Sequence, residues 1–154
     1  MTRARLTEIA APLRLTANCR ETLQQLRKNG MVLGIISGGI DTFLIDRFPD
    51  YRDCVDFVFI NRLLFADNEV VSGVDASAYD FEGKADALKV MCARAGCDES
   101  ETVFVGDHFN DEAAMLSAAL SIAYPPQDEV SQGVATTSIY MDDLSTILPR
   151  ILVS

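Results

Sequence analysis

Val103-Phe104-Val105-Gly106-Asp107-His108-Phe109-Asn110-Asp111 decides how the rest of this chain reads. The apolar run predicts a buried strand. It stops at a glycine, and Asp107, Asn110 and Asp111 follow within five positions. A helical pattern then starts at Glu112. A strand that ends in Gly-Asp and turns into a helix is where an open α/β sheet keeps its ligands, beyond the carboxyl ends of the strands. The helix start adds free N–H groups and a positive dipole end. Two carboxylates and an amide aimed into such a corner suit a hard cation beside a phosphate. An ordinary strand–loop–helix turn, with an Asn cap and acids in the first turn, has the same local sequence. Six residues alone do not separate the two readings.

Working outward, the chain has 154 residues, enough for one domain with a real core. Apolar residues make up 49%, so an ordered chain is expected. The net charge of −10 argues against a nucleic-acid partner or an anionic membrane surface. A chain this acidic needs local positive charge, or a metal, to hold a phosphoester. Cys19, Cys54, Cys92 and Cys97 form no C-x-x-C pair, and with one histidine there is no zinc-finger spacing. Reduced thiols in a cytoplasmic protein are the simplest expectation. No apolar run approaches the ~18 residues of a membrane span, and no secretory signal is legible.

On the N-terminal side, residues 1–11 are helix-compatible, with Leu6, Ile9 and Ala10 on one side, and Pro12 interrupts them. Thr16 or Asn18 can cap a helix over 19–28, where Cys19, Leu23 and Leu26 share a face. Asn29-Gly30 ends it. Residues 31–36 are apolar on both faces, as in a parallel strand covered on both sides. Ser37-Gly38-Gly39 is expected to close that strand, before a helix over 40–47. A strand over 55–60, a hairpin over 62–71 turning at Asp67-Asn68, and a loop over 72–82 come next. Gly83-Lys84 opens a helix to about 95, with Leu88, Met91, Cys92 and Ala95 as its inward stripe. Beyond the opening stretch, the pattern predicts a helix over 110–118 and strands over 120–123 and 138–141. A last helix is expected over 144–152. Strands alternating with helices predict an α/β, Rossmann-like sheet, mostly parallel and covered by helices.

Two further stretches could carry chemistry. In Ser37-Gly38-Gly39 the glycines let the backbone approach an anion, and successive N–H groups can form a nest around phosphate oxygens, with the Ser37 hydroxyl as a further donor. A plain glycine-rich turn is the alternative. Lys84 at a helix start opposes the helix dipole. That placement makes sense if it faces an acidic cluster or a phosphate; a solvated surface lysine is the alternative. His108 flanks Asp107 and is read as a loop residue at the mouth of the corner, without a catalytic role.

Taken in order, Ser37-Gly38-Gly39, Asn61-Arg62-Leu63, Gly83-Lys84 and Gly106-Asp107-x-x-Asn110-Asp111 resemble the haloacid-dehalogenase superfamily of phosphohydrolases, most of all its phosphoserine-phosphatase branch. The similarity runs from about Thr16 to Ala135. The resemblance implies that Ser37 and the Gly38 amide hold the transferring phosphoryl group and that Lys84 neutralises it. It implies that Asp107 binds Mg²⁺, that Asn110 hydrogen-bonds near the phosphate, and that Asp111 orients Lys84. A small phosphorylated metabolite is the implied substrate. Phosphoryl transfer depends on positioning and charge neutralisation more than on covalent machinery, so the set is coherent.

One family motif is missing. The nucleophile strand of the family ends in Asp-x-Asp, whose first Asp attacks phosphorus and whose second is the acid/base, and this sequence contains no Asp-x-Asp. The chain therefore reads as a single core domain over 1–154, with residues 1–15 a remnant of the cap and linker region. The absent strand would lie between those ending at Ser37 and Val105. An unfilled gap there would leave unpaired backbone in the core, which is too costly to expect. Direct pairing of the two strands, a homodimer, or a complementing N-terminal segment is the expectation. Three functional readings follow: part of a Mg²⁺-dependent phosphatase inactive alone; a non-catalytic protein that binds phosphate or a partner; or a phosphatase with a substitute nucleophile, for which Asp41 is the nearest candidate.

Overall fold

A computed structural model describes residues 1–152. The elements run α1 (Arg3–Ala10), α2 (Cys19–Lys28), β1 (Gly34–Ile40), α3 (Asp41–Arg47), α4 (Tyr51–Cys54), β2 (Phe57–Phe65) and β3 (Val71–Asp75). They continue α5 (Lys84–Ala95), β4 (Val103–Gly106), α6 (Glu112–Ser117), β5 (Leu120–Ala123), α7 (Glu129–Val134), β6 (Thr137–Ser138) and α8 (Leu148–Ile151). Short 3-10 turns at Phe81–Gly83, Phe109–Asp111 and Leu144–Ile147 lead into α5, α6 and α8. Among the described residues no helix is long and apolar enough to cross a membrane.

The strands form two three-stranded sheets, β1-β2-β3 and β4-β5-β6. β1 pairs parallel with β2, and β4-β5-β6 is parallel throughout; β3 returns antiparallel on β2. The fold class is the expected α/β one, but several boundaries moved. β1 begins at Gly34 rather than at 31, because Asp56 takes the Leu33 N–H and the Leu33 carbonyl accepts from Asp56 and Phe57. It also runs through Ser37-Gly38-Gly39 to Ile40, with a register break between Ile36 and Ile40. The expected strand over 55–60 and the first arm of the hairpin are one strand, β2. Its first half pairs with β1 and its second with β3. β3 is the return arm of the expected hairpin, which turns at Asp67-Asn68, but it runs on from Val71 to Asp75 into what reads as a loop over 72–82, because Ser72, Gly73 and Asp75 carry little strand propensity of their own and are recruited by Arg62–Phe65. α4 and α7 are short helices that the periodicity does not signal.

Three apolar clusters hold these layers. Leu26, Ile122, Tyr124, Ile147 and Ile151 join α2 and α8 to β5. Phe48, Tyr51, Cys54 and Val55 close the turn after α3. Phe104, Ala114, Met115 and Ala123 pack α6 on β4 and β5, and Ile36 of β1 reaches this cluster. Residues 1–11 also have a fixed place: α1 packs on α3, Thr2 bridges to Val70, and the Val71 N–H donates to the Met1 carbonyl.

β1 and β4 do not pair. Between them lies a cleft of about 480 Å³, lined by Gly34 and Ile36 on one side, Val103 and Val105 on the other, and Leu88 and Met91 of α5. Direct pairing of β1 with β4, one of the expected ways to close the gap, is therefore not what forms within this chain. The expectation rested on the cost of buried unpaired backbone. Here Gly34 and Val105 are exposed, so both strand edges reach solvent. Side-chain packing of Ile36 on the Phe104 cluster, rather than a ladder, ties the half-sheets together.

Candidate phosphate-binding and metal-binding site

The turn after β4 is built around the Asp111 carboxylate. Asp111 and Lys84 are both buried, and Lys84 Nζ donates to Asp111 Oδ1 at 2.6 Å. The other oxygen, Oδ2, accepts the backbone N–H groups of Asp107 at 2.9 Å and His108 at 3.3 Å. Both Asp111 oxygens are thus engaged, which is what allows a charge to sit this deep. Gly106 makes the arrangement possible. A Cβ at that position would meet Asp111 Oδ2 at 2.5 Å and Cγ at 2.6 Å, so any side chain would push the carboxylate away. Lys84 is not the solvated lysine its position alone allows.

Asp107 follows at the end of β4, on a backbone pinned from the other side. Its carbonyl accepts from Gln127 N at 2.7 Å and Ser131 Oγ at 3.1 Å. Its side chain keeps solvent access. Partial burial of the carboxyl and then the charge of Asp111 raise its pKa above the ordinary value; His108 and Lys84 offset this only in part. A carboxylate held at such a cost, at the mouth of a corner that already contains a lysine, suits a divalent cation. Mg²⁺ is bound in such sites by one or two carboxylates together with waters and phosphate oxygens. Among the described residues there is no cluster of three or more His, Cys, Asp or Glu that would hold a metal unaided. The donor set fits a cation shared with a phosphate, not a closed protein cage.

Asn110 lies half-buried in the 3-10 turn beside Asp111. Among the described residues nothing hydrogen-bonds its side-chain amide. His108 Nε2 lies 3.7 Å from Asp128 Oδ2. Asp128 also accepts the Phe109 N–H at 2.6 Å and caps α7 through the Ser131 N–H.

Ser37 and Gly38 occupy the irregular end of β1. Ser37 Oγ accepts the Gly39 N–H at 3.1 Å, and Gly38 is exposed. The loop is joined to the Lys84 corner through two residues to which the sequence reading assigns no role. Asn61 donates to the Gly38 carbonyl at 3.0 Å and to Asp80 Oδ2 at 3.1 Å, and accepts the Ser77 N–H. Asp80, four positions before Lys84, presses its carboxylate against Gly38, so that a Cβ there would collide with it. Asn61 sits inside a quoted motif, and its place after an apolar strand was the available signal. Asp80 gave none, because its partner is a distant backbone. Asp41 is otherwise occupied: its Oδ1 accepts the Leu63 N–H at 3.1 Å, which ties α3 to β2.

Lys84, Asp107 and Asp111 are therefore brought into one corner, Asn110 stands beside them, and Ser37-Gly38 is linked to them by Asp80. The sequence matches the haloacid dehalogenase-like hydrolase family over residues 2–119. It is 30% identical over 141 residues to a phosphoserine phosphatase of Streptomyces coelicolor, covering 92% of this chain and 34% of that protein. It is 31% identical over 144 residues to a phosphoserine phosphatase of Mycobacterium tuberculosis, covering 93% of this chain and 34% of that protein. The chain spans about a third of these two relatives. Among solved structures, a phospho-aspartyl intermediate analogue of phosphoserine phosphatase superposes with a TM-score of 0.84 at 26% identity, over 98% of this chain and 71% of the other. An apo phosphoserine phosphatase superposes with a TM-score of 0.85 at 25% identity, over 98% and 74%.

Proposed function

From the premise that this chain belongs to the haloacid dehalogenase-like hydrolases, we propose that it carries the phosphate- and Mg²⁺-binding part of a phosphomonoester hydrolase. The single observation that supports this most is the buried Lys84–Asp111 pair next to the raised Asp107 carboxylate. In this reading Ser37 and the Gly38 amide hold the phosphoryl oxygens. Lys84 neutralises them while Asp111 fixes its ammonium in place. Asn110 donates to the phosphate edge, and Asp107 holds the cation. When bound, Mg²⁺ supplies positive charge beside the phosphoryl oxygens. The substrate class is a small phosphorylated metabolite, with phosphoserine the analogy that the relatives' names offer. A cytoplasmic setting belongs to the same reading, and the four free thiols support it.

Because the sequence holds no Asp-x-Asp, the chain has no attacking carboxylate of its own and is inactive alone. The cleft between β1 and β4 supports a further parallel strand there, from a complementing N-terminal segment, with its acidic end at the Lys84 corner. A homodimer is the other way to cover the same edges. The missing Asp-x-Asp equally favours a second reading, a non-catalytic module that binds phosphate or a partner.

Hydrolysis of an aryl phosphate separates these. The purified chain should give no turnover above Asp107→Asn. Adding a segment that bears an apolar strand ending in Asp-x-Asp should give Mg²⁺-dependent turnover that Asp107→Asn abolishes. Mg²⁺-dependent turnover by the chain alone contradicts the proposal. No turnover with any such segment leaves the binding module as the better reading.

A further inference from the structure

Two exposed phenyl rings and the half-buried imidazole of His108 stand at the rim of this site, and the phosphate chemistry uses none of them. Phe81 is 54% exposed and Phe109 43%. Their centroids lie 5.6 Å apart in an edge-to-face arrangement. The imidazole of His108 is tilted against Phe109 at 4.4 Å. The rings come from the two 3-10 turns that carry the site: Phe81 is three residues before Lys84, and Phe109 is two after Asp107. Phe81 also adjoins Asp80, which touches Gly38. The pair thus stands beside the phosphate loop, the lysine and the metal-binding aspartate.

Phe81 is held there at a conformational cost. Its φ is +54, a left-handed backbone that a phenylalanine rarely adopts. Single exposed apolar side chains need no explanation, but Phe109 in contact with both Phe81 and His108 makes a patch. Continuity with the phosphate corner says what covers it. The two turns pack on each other beside the start of α5, so a phosphoester seated against Gly38 and Lys84 would have its leaving group pass along them. A small polar group would leave both phenyl faces in water. A flat, apolar one would bury them and gain edge and face contacts as well.

We propose that Phe81 and Phe109 select phosphomonoesters whose leaving group is planar and largely apolar, an aryl or heteroaryl alcohol, in departure from the short polar serine of the phosphoserine analogy. This rests on the phosphate reading of the site, and the test keeps the two apart. Phenylphosphonate and methylphosphonate share the anionic head and resist hydrolysis, so calorimetric titration of the chain with each, in Mg²⁺, needs no turnover. Phenylphosphonate should bind about five- to tenfold more tightly. The ratio should fall towards one in both Phe81→Gly, which also relieves the left-handed backbone, and Phe109→Leu. Equal binding of the two phosphonates by the unaltered chain overturns the aromatic selection and leaves the phosphate site standing. A preference that survives both substitutions also overturns it. Binding of neither ligand contradicts the phosphate site itself.

Discussion

The corner at Lys84 and the loop at Ser37-Gly38-Gly39 lie on opposite half-sheets, and they are built to very different standards. At the corner both Asp111 oxygens are engaged, the lysine is buried against them, and a glycine is placed so that the carboxylate fits. At the loop the strand loses register, Gly38 is exposed, and its nearest charged neighbour is the carboxylate of Asp80. A buried charge pair must be complete, because half of one costs several kcal/mol. A backbone nest can remain open to solvent at no such cost. The corner is therefore a structural element in its own right, whereas the loop can stay open without a buried charge pair.

The largest test breaks the corner. Asp111→Ala leaves Lys84 buried without a partner and two amides without an acceptor, and should cost about 3–5 kcal/mol in urea unfolding. Pairing Lys84→Met with Asp111→Leu should recover part of that loss. A cost below about 1 kcal/mol for Asp111→Ala would put the two regions on the same footing. A smaller effect belongs to the loop. Gly38→Ala forces the Asp80 carboxylate to move, and should destabilise by about 1 kcal/mol while weakening phosphate binding. An unchanged phosphate affinity would remove Gly38 from the site.

The smallest effect concerns Asp107. Its raised pKa means that the folded chain holds the proton more tightly than the unfolded chain does. That contribution is present below the ordinary value of 3.8 and is lost as pH rises through the raised value. Asparagine cannot ionise and keeps it. Without metal, Asp107→Asn should therefore melt on the order of 1 °C higher than the native chain at neutral pH. The gap should close in acid. A lower melting temperature at neutral pH would mean that the carboxylate is already compensated within the protein.

The same contrast explains what was legible. α2 and α5 were readable to their ends, because a 3.6-residue apolar stripe and a terminal glycine are local signals. The Gly106-Asp107-x-x-Asn110-Asp111 corner was readable because its partners are close in sequence, apart from Lys84, which the Gly-Lys helix start marked. β1 was misplaced by three residues because the hydrogen bonds of Leu33 go to Asp56, and no local pattern announces that. The hairpin turning at Asp67-Asn68 was read, but its return arm was cut short at Val71, because the strand character of β3 beyond that point comes from its partner. Asp80 and Asn61 were left without roles because both act on Gly38 from a distance. Whether β1 and β4 pair directly was not legible, because sequence does not say whether a strand edge faces core or solvent.

The most direct test of the account is calorimetric titration of Mg²⁺ into the chain in the presence of inorganic phosphate, beside Asp107→Asn prepared identically. The account predicts saturable binding that depends on phosphate and is weakened about tenfold or more in the variant. Equal affinity in both proteins, or no binding in either, would contradict it.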